Sequence, residues 1–271
     1  MTLITELTSR ECNKYLVRGG DIAIVPVGSV EVLGPHLPIG GRCYTAEALA
    51  TLLADKVNGL RMPLTPISVA NNTFDRPGSV AAQETAVNAY VRAVMDDLLA
   101  QGFRRILLIA SLDYMPYYIS QEFYEDHGVA AAGIDPREVI DRHGRDMDIG
   151  EDSLIVGALR LLGKTELVAR VEAENARLLK EGFTSAAPAA DVMALRKVGN
   201  VGFTYPANGY PMGPNPSLSG EKGELLIRTA VEAMGPDIES LRAYNDFLGK
   251  RRASRGMMWT GWSWAYKEGN E

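Results

Sequence analysis

The sequence predicts an α/β fold: a mostly parallel central sheet flanked by helices, in a single domain spanning residues 1–271. Three observations lead there. Short apolar runs bounded by glycine or charge, DIAIVPVG (21–28) and RRILLIAS (104–111), read as buried strands. Stretches of helical periodicity alternate with them, the order that right-handed βαβ crossovers require. No repeat, low-complexity tract or linker divides the 271 residues, a length within reach of one α/β domain.

In chain order, DIAIVPVG is the first strand, set off by Gly-Gly before it and Gly-Ser after it. YTAEALATLLADKV (44–57) is built of good helix formers at helical spacing. MPLTPISVA (62–70) is a candidate second strand, which Pro63 and Pro66 assign to an edge or an irregular path. The loop NNTFDRPGS leads into AAQETAVNAYVRAVMDDLLAQGF, where Val87, Val91, Val94, Leu98 and Leu99 mark one helix face and Gly102 the stop. RRILLIAS then returns to the sheet, and GVAAAGI (128–134) is a candidate fourth strand. SLIVGALRLLG (153–163) and KTELVARVEAENARLLKEG (164–182) read as helices meeting at Gly163. TSAAPAADVMALRKVGNVGF mixes loop and strand signals and receives no assignment. ANGYPMGPNPSLSG (207–220) is long for an idle connection, which points to function or subunit contact, and EKGELLIRTAVEAMG is again helical.

Composition narrows the function classes. The hydrophobic fraction is 46% and the net charge is −6, and before the last twenty residues no basic cluster combines with aromatics, so nothing suggests nucleic acid or an acidic membrane as partner. No apolar run is long enough to span a membrane, and the acidic N-terminus lacks the basic region of a signal peptide. Two cysteines, Cys12 and Cys43, make no disulfide framework, so reduced thiols in a cytoplasmic protein are expected.

In open parallel sheets, ligands bind beyond the carboxyl ends of the strands. Glu31 and His36 follow the first strand, Asp113 and Tyr114 follow RRILLIAS, and the acidic loop DRHGRDMDIGED (141–152) precedes a helix. These loops hold the candidate site residues.

Several segments together resemble the creatininase family. VPVGSVEVLGPHLPIGGRCYTAEALA is similar to that family's opening E-x-H-G-P-H-L-P motif, and Arg76-Pro77-Gly78-Ser79 to its F-P-G-T turn. GEDSLIVGAL resembles its E-T-S-x-M-L segment, and PNPSLSGEKGELLI its late helix start. The resemblance runs in register over roughly residues 20 to 232. It implies the creatininase fold, hydrolysis of a small polar cyclic metabolite, and in typical members two divalent ions and hexameric assembly. Carried over position by position, Glu31 and Glu151 are retained. Leu33 stands where the motif has a His, Arg42 where it has the bridging Asp, Leu112 for the His after the central strand, and Asp146 for the His before Glu151. His36 matches a second His that is not a principal ligand.

Leucine cannot coordinate a metal, and an arginine replaces negative charge with positive. The expectation is therefore no cofactor, with a relocated single divalent ion on Glu31, Asp113, Asp146 or Glu151 as the lesser alternative. Without metal-activated water, an amide is a poor target, and no G-x-S-x-G elbow or Cys/His signature replaces that water. An activated ketone such as a keto-inositol or keto-sugar becomes the expected substrate. Glu31 is then the general base, and Arg42 with His36 supports developing negative charge. Asp113, Tyr114, Asp146 and Glu151 hold the substrate. An isomerase or lyase using the same groups, or an inactive ligand-binding subunit, are the alternatives. An Arg42–Glu31 pair in a closed pocket would mark the inactive form. The tail 251–271, with Trp259, Trp262, Trp264 and Tyr266, suggests packing against another subunit of a homo-oligomer.

Overall fold

The computed structural model describes all residues except 1, 68, 70–72, 74, 111–114, 144–148, 189, 196–204 and 256–271. Among the described residues five strands form one sheet: β1 (Thr2–Leu3), β2 (Ile22–Val27), β3 (Leu60–Arg61), β4 (Arg105–Ala110) and β5 (Ala132–Ile134). Their order is β1-β3-β2-β4-β5, and every pairing is parallel. The helices are α1 (Ser9–Val17), α2 (Gly41–Val57), α3 (Glu84–Gln101), α4 (Met115–His127), α5 (Pro136–His143), α6 (Glu151–Leu161), α7 (Thr165–Lys180), α8 (Ala190–Leu195) and α9 (Gly220–Arg255). This is the mostly parallel α/β architecture that the sequence predicts.

β2 and β4 are buried at every position, which is why they read as unbroken apolar runs rather than alternating ones. Pro26 sits inside β2 and is tolerated because β3 pairs only with Ala23 and Ile24, so its missing N–H falls where that ladder has ended. The two sheet faces carry separate cores. Ile22, Ile24, Leu107 and Ile109 pack on α2, α6 and α9, while Ala23, Val25, Ile106 and Leu108 pack on α3 and α4.

Several expected elements take different bounds. The strand expected over 62–70 is instead the two-residue β3 just before it, with a further bridge from Thr65 to Val27. Pro63 and Pro66 cannot donate ladder hydrogen bonds, so the run does not continue as a strand. The strand expected over 128–134 is confined to Ala132–Ile134. The start of the acidic stretch 141–152 is helical, as the end of α5. α3 ends as its periodicity predicts, with Gly102 at φ +109° accepting the left-handed conformation of the helix stop.

α6 and α9 cross closely because glycines face each other there. A Cβ on Gly223 would lie 1.9 Å from the Ser153 carbonyl oxygen, and one on Gly157 would lie 2.3 Å from the Glu224 nitrogen. This contact fixes the N-terminal end of α6 beside the sheet.

Candidate functional site

β3 lies on one side of β2 and β4 on the other, so the strand order reverses between β2 and β4. In open parallel sheets such a switch point, with its crevice at the carboxyl ends of the strands, is where ligands bind. The loop after β2 is closed by the Glu31 N–H, which donates to the Ile39 carbonyl at 2.7 Å. It is tied sideways by the Val80 N–H donating to the Val30 carbonyl at 2.8 Å and the Val32 N–H to the Ser79 hydroxyl at 3.0 Å. These bonds turn the Glu31 side chain inward, where it is only 4% exposed.

Arg42, in the first turn of α2, lies between two carboxylates. Its Nη1 donates to Glu31 Oε1 at 2.9 Å, and its Nε donates to Glu151 Oε1 at 2.9 Å. A cation in the first turn of a helix opposes the helix dipole, whereas Glu151 at the start of α6 is favoured by it. Two carboxylates on one guanidinium outweigh the first effect. Burial works against ionisation of Glu151, yet the Arg42 and Arg137 guanidiniums more than offset this and hold its carboxyl below the ordinary value of 4.5.

Glu31 takes two further donors. The Ser29 hydroxyl donates to Oε1 at 2.5 Å and the Thr73 hydroxyl to Oε2 at 3.3 Å. Among the described residues, Oε1 thus holds two close donors and Oε2 a long bond from Thr73. Asp135 and Arg137 complete the cluster from the chain just after β5. Burial raises the Asp135 carboxyl above its ordinary 3.8, against the lowering effect of the Glu138 and Arg137 backbone N–H groups and of Arg42. Arg137 Nη1 lies 3.6 Å from Glu151 Oε2.

The structure therefore brings Glu31, Arg42 and Glu151 together. His36 faces elsewhere: its Nε2 is 3.9 Å from Asp152 Oδ2, and among the described residues neither ring nitrogen has a hydrogen-bond partner. No hydrogen bond or ion pair among the described residues links it to Glu31 or Arg42. Burial lowers its basicity below the ordinary 6.5, against the opposing fields of Asp152 and Glu174. Asp113, Tyr114 and Asp146 lie outside the described residues, as does the aromatic tail from residue 256. The long loop 207–220 packs on the loop after β2, with the Met212 N–H donating to the Leu33 carbonyl at 2.8 Å. Arg76 anchors the same loop through the carbonyls of Ala207 at 3.0 Å and Gly209 at 2.6 Å, and lies over the Tyr210 ring.

Sequence reasoning missed Ser29, Thr73, Asp135 and Arg137. Asp135 had a signal: an Asp before Pro136, at the end of an apolar run, is a helix N-cap, and its Oδ1 accepts the Arg137 N–H at 2.8 Å. Ser29 and Thr73 carry no such mark, because only the fold brings them to Glu31.

Among the described residues, the side chains gathered around Arg42 do not fit a two-ion centre. The Arg42 guanidinium stands between the retained carboxylates. Leu33 is 1% exposed, inside an apolar cluster with Ile155 and Leu159. A side chain buried there supplies no donor to the crevice. Among the described residues no group of three or more His, Cys, Asp or Glu is disposed to hold a metal.

The topology and the crevice define an α/β protein of the creatininase fold. Its structure superposes on that of creatinine amidohydrolase (creatininase) with a TM-score of 0.61, at 18% identity over 88% of this chain and 96% of that one. A putative creatinine amidohydrolase from Bacteroides fragilis gives a TM-score of 0.61 at 19% identity, over 88% and 92%. A creatininase described as Mn gives 0.62 at 17% identity, over 88% and 98%. Residues 5–112 match the family model for creatinine amidohydrolase, and the structural likeness at these identities is one of fold. No curated protein matches it in sequence.

Proposed function

We propose that this chain is a creatininase-like hydrolase that opens a small polar cyclic metabolite carrying an activated ketone, such as a keto-inositol or keto-sugar, without the two-metal centre. The observation that carries this reading is Arg42 placed between Glu31 and Glu151. A fixed guanidinium can support an oxyanion without a metal ion. Glu31 takes a proton from water through Oε2, which among the described residues accepts a long bond from Thr73. The hydroxide adds to the ketone carbonyl, and Arg42 faces the oxygen that gains charge. The substrate is a cyclic 1,3-diketone, so the bond from the attacked carbon to the carbon between the two carbonyls then breaks, its electron pair leaving as the enolate of the second carbonyl. Glu31 returns its proton to that carbon. Glu151 holds Arg42 in place, and Asp113, Tyr114 and Asp146 are proposed to bind ring hydroxyls.

A ligand-binding subunit without turnover is the second reading. The near-complete burial of Glu31 and the donors on both of its oxygens favour it. One experiment separates the two. The protein is incubated with a 1,3-diketo-inositol in isotopically labelled water, and ring-opened carboxylate is sought by mass spectrometry. Labelled product lost in Glu31→Gln supports the hydrolase; binding without product in the unaltered protein supports the second reading.

A further inference from the structure

We infer that the Arg42 guanidinium is the resident cation of this site: a tethered positive charge that neutralises Glu31 and Glu151 and keeps divalent metal out. The inference rests on the same placement of Arg42 as the proposed function, but it does not depend on any reaction. Removing two carboxylates from water is costly, by several kcal/mol per ion, unless a counter-charge accompanies them. Arg42 supplies that charge through two different nitrogens, each 2.9 Å from a different carboxylate. The planar fork of arginine holds both bonds in a fixed geometry, whereas the ammonium of lysine is a point charge on a flexible stem.

Charges nearby point the same way. Asp135 adds a third carboxyl and Arg137 a second guanidinium, 3.6 Å from Glu151. Three carboxyls therefore share two side chains whose charge cannot be lost. A divalent ion would need oxygen donors at about 2.0–2.6 Å, in the space where the guanidinium already sits. It would also meet a full positive charge there. Some proteins of similar fold are described in Zn–Zn or Mn form. This chain departs from them at the cation itself.

The test is elemental analysis of the full chain purified without a metal-binding tag, followed by thermal unfolding with chelator, Mn²⁺ or Zn²⁺. The unaltered protein should carry no stoichiometric metal, and its Tm should not respond to chelator or either ion. Arg42→Ala should lower the Tm and should gain a rise with Mn²⁺ or Zn²⁺ that adding Glu151→Gln removes. Arg42→Gln serves if the alanine variant does not fold, and the unaltered protein decides the matter if neither does. One metal per chain, released by Glu31→Gln, would overturn the inference. So would a folded Arg42→Ala that ignores both ions. Absence of ketone turnover in a metal-free protein would leave this inference standing and remove only the hydrolase reading.

Discussion

Glu31 and Glu151, 120 positions apart in the chain, meet on one side chain: Arg42 donates to each at 2.9 Å, through Nη1 and Nε. The loop after β2 and the start of α6 are thereby joined through the start of α2. The chemistry of the crevice depends on that junction.

Arg42→Ala leaves both carboxylates without their main counter-charge. The expected loss is about 2–4 kcal/mol in equilibrium urea unfolding, slightly below a fully buried case because Arg42 keeps partial access to water. Arg42→Lys should recover only part of it. Recovery to the full value would show that charge alone, without the fork, holds the site.

Acid should act on this protein in two windows. The Glu151 carboxyl titrates lower in the fold than its ordinary 4.5, so its contribution is complete above 4.5 and disappears as pH falls through the folded value. His36 is held below its ordinary 6.5, so beneath that pH the unfolded chain takes up a proton that the fold resists. Stability should therefore begin to fall below pH 6.5, with a slope of up to about 1.4 kcal/mol per pH unit for one proton. His36→Leu should flatten this upper window and leave the lower one unchanged, as read from urea midpoints across pH.

The α6–α9 crossing has no room for a methyl group. Gly223→Ala would set a Cβ 1.9 Å from the Ser153 carbonyl oxygen, backbone against backbone. The helices must separate, at a cost of about 3 kcal/mol or more. Since α6 carries Glu151, the change should also weaken the Arg42 junction. A thermal melt matching the parent would contradict this packing.

Cys43 should be inert while the protein is folded. Its thiol donates to the Ser29 carbonyl at 3.2 Å, and burial pushes its pKa up to about 11. At mildly alkaline pH, alkylation of Cys43 should be slow in the native protein and rapid in urea. Peptide mass mapping would read both rates.

The sheet was legible in the sequence because its signal is local. A strand buried on both faces must be apolar throughout, as β2 and β4 are, and a helix stop at Gly102 is written in one residue. The position of Glu31 in the crevice follows from the parallel order, since the loop after a central strand has only one place to go. The substitutions at Leu33 and Arg42 were equally plain as residue identities. The run around Pro63 misled because its apolar residues resemble a strand while its prolines prevent one.

What the sequence by itself determined was therefore the layered α/β fold, its strand and helix faces, and the residue types available at the crevice. Only the tertiary structure decided which of them touch. Arg42 pairs with both Glu31 and Glu151, whereas His36, five residues from Glu31, faces Asp152 instead. The physical reason is that secondary structure is set by neighbours along the chain. A charge cluster is set by where five separate loops and helix ends stop in space, and that depends on close contacts such as Gly157 against Gly223 further along α6.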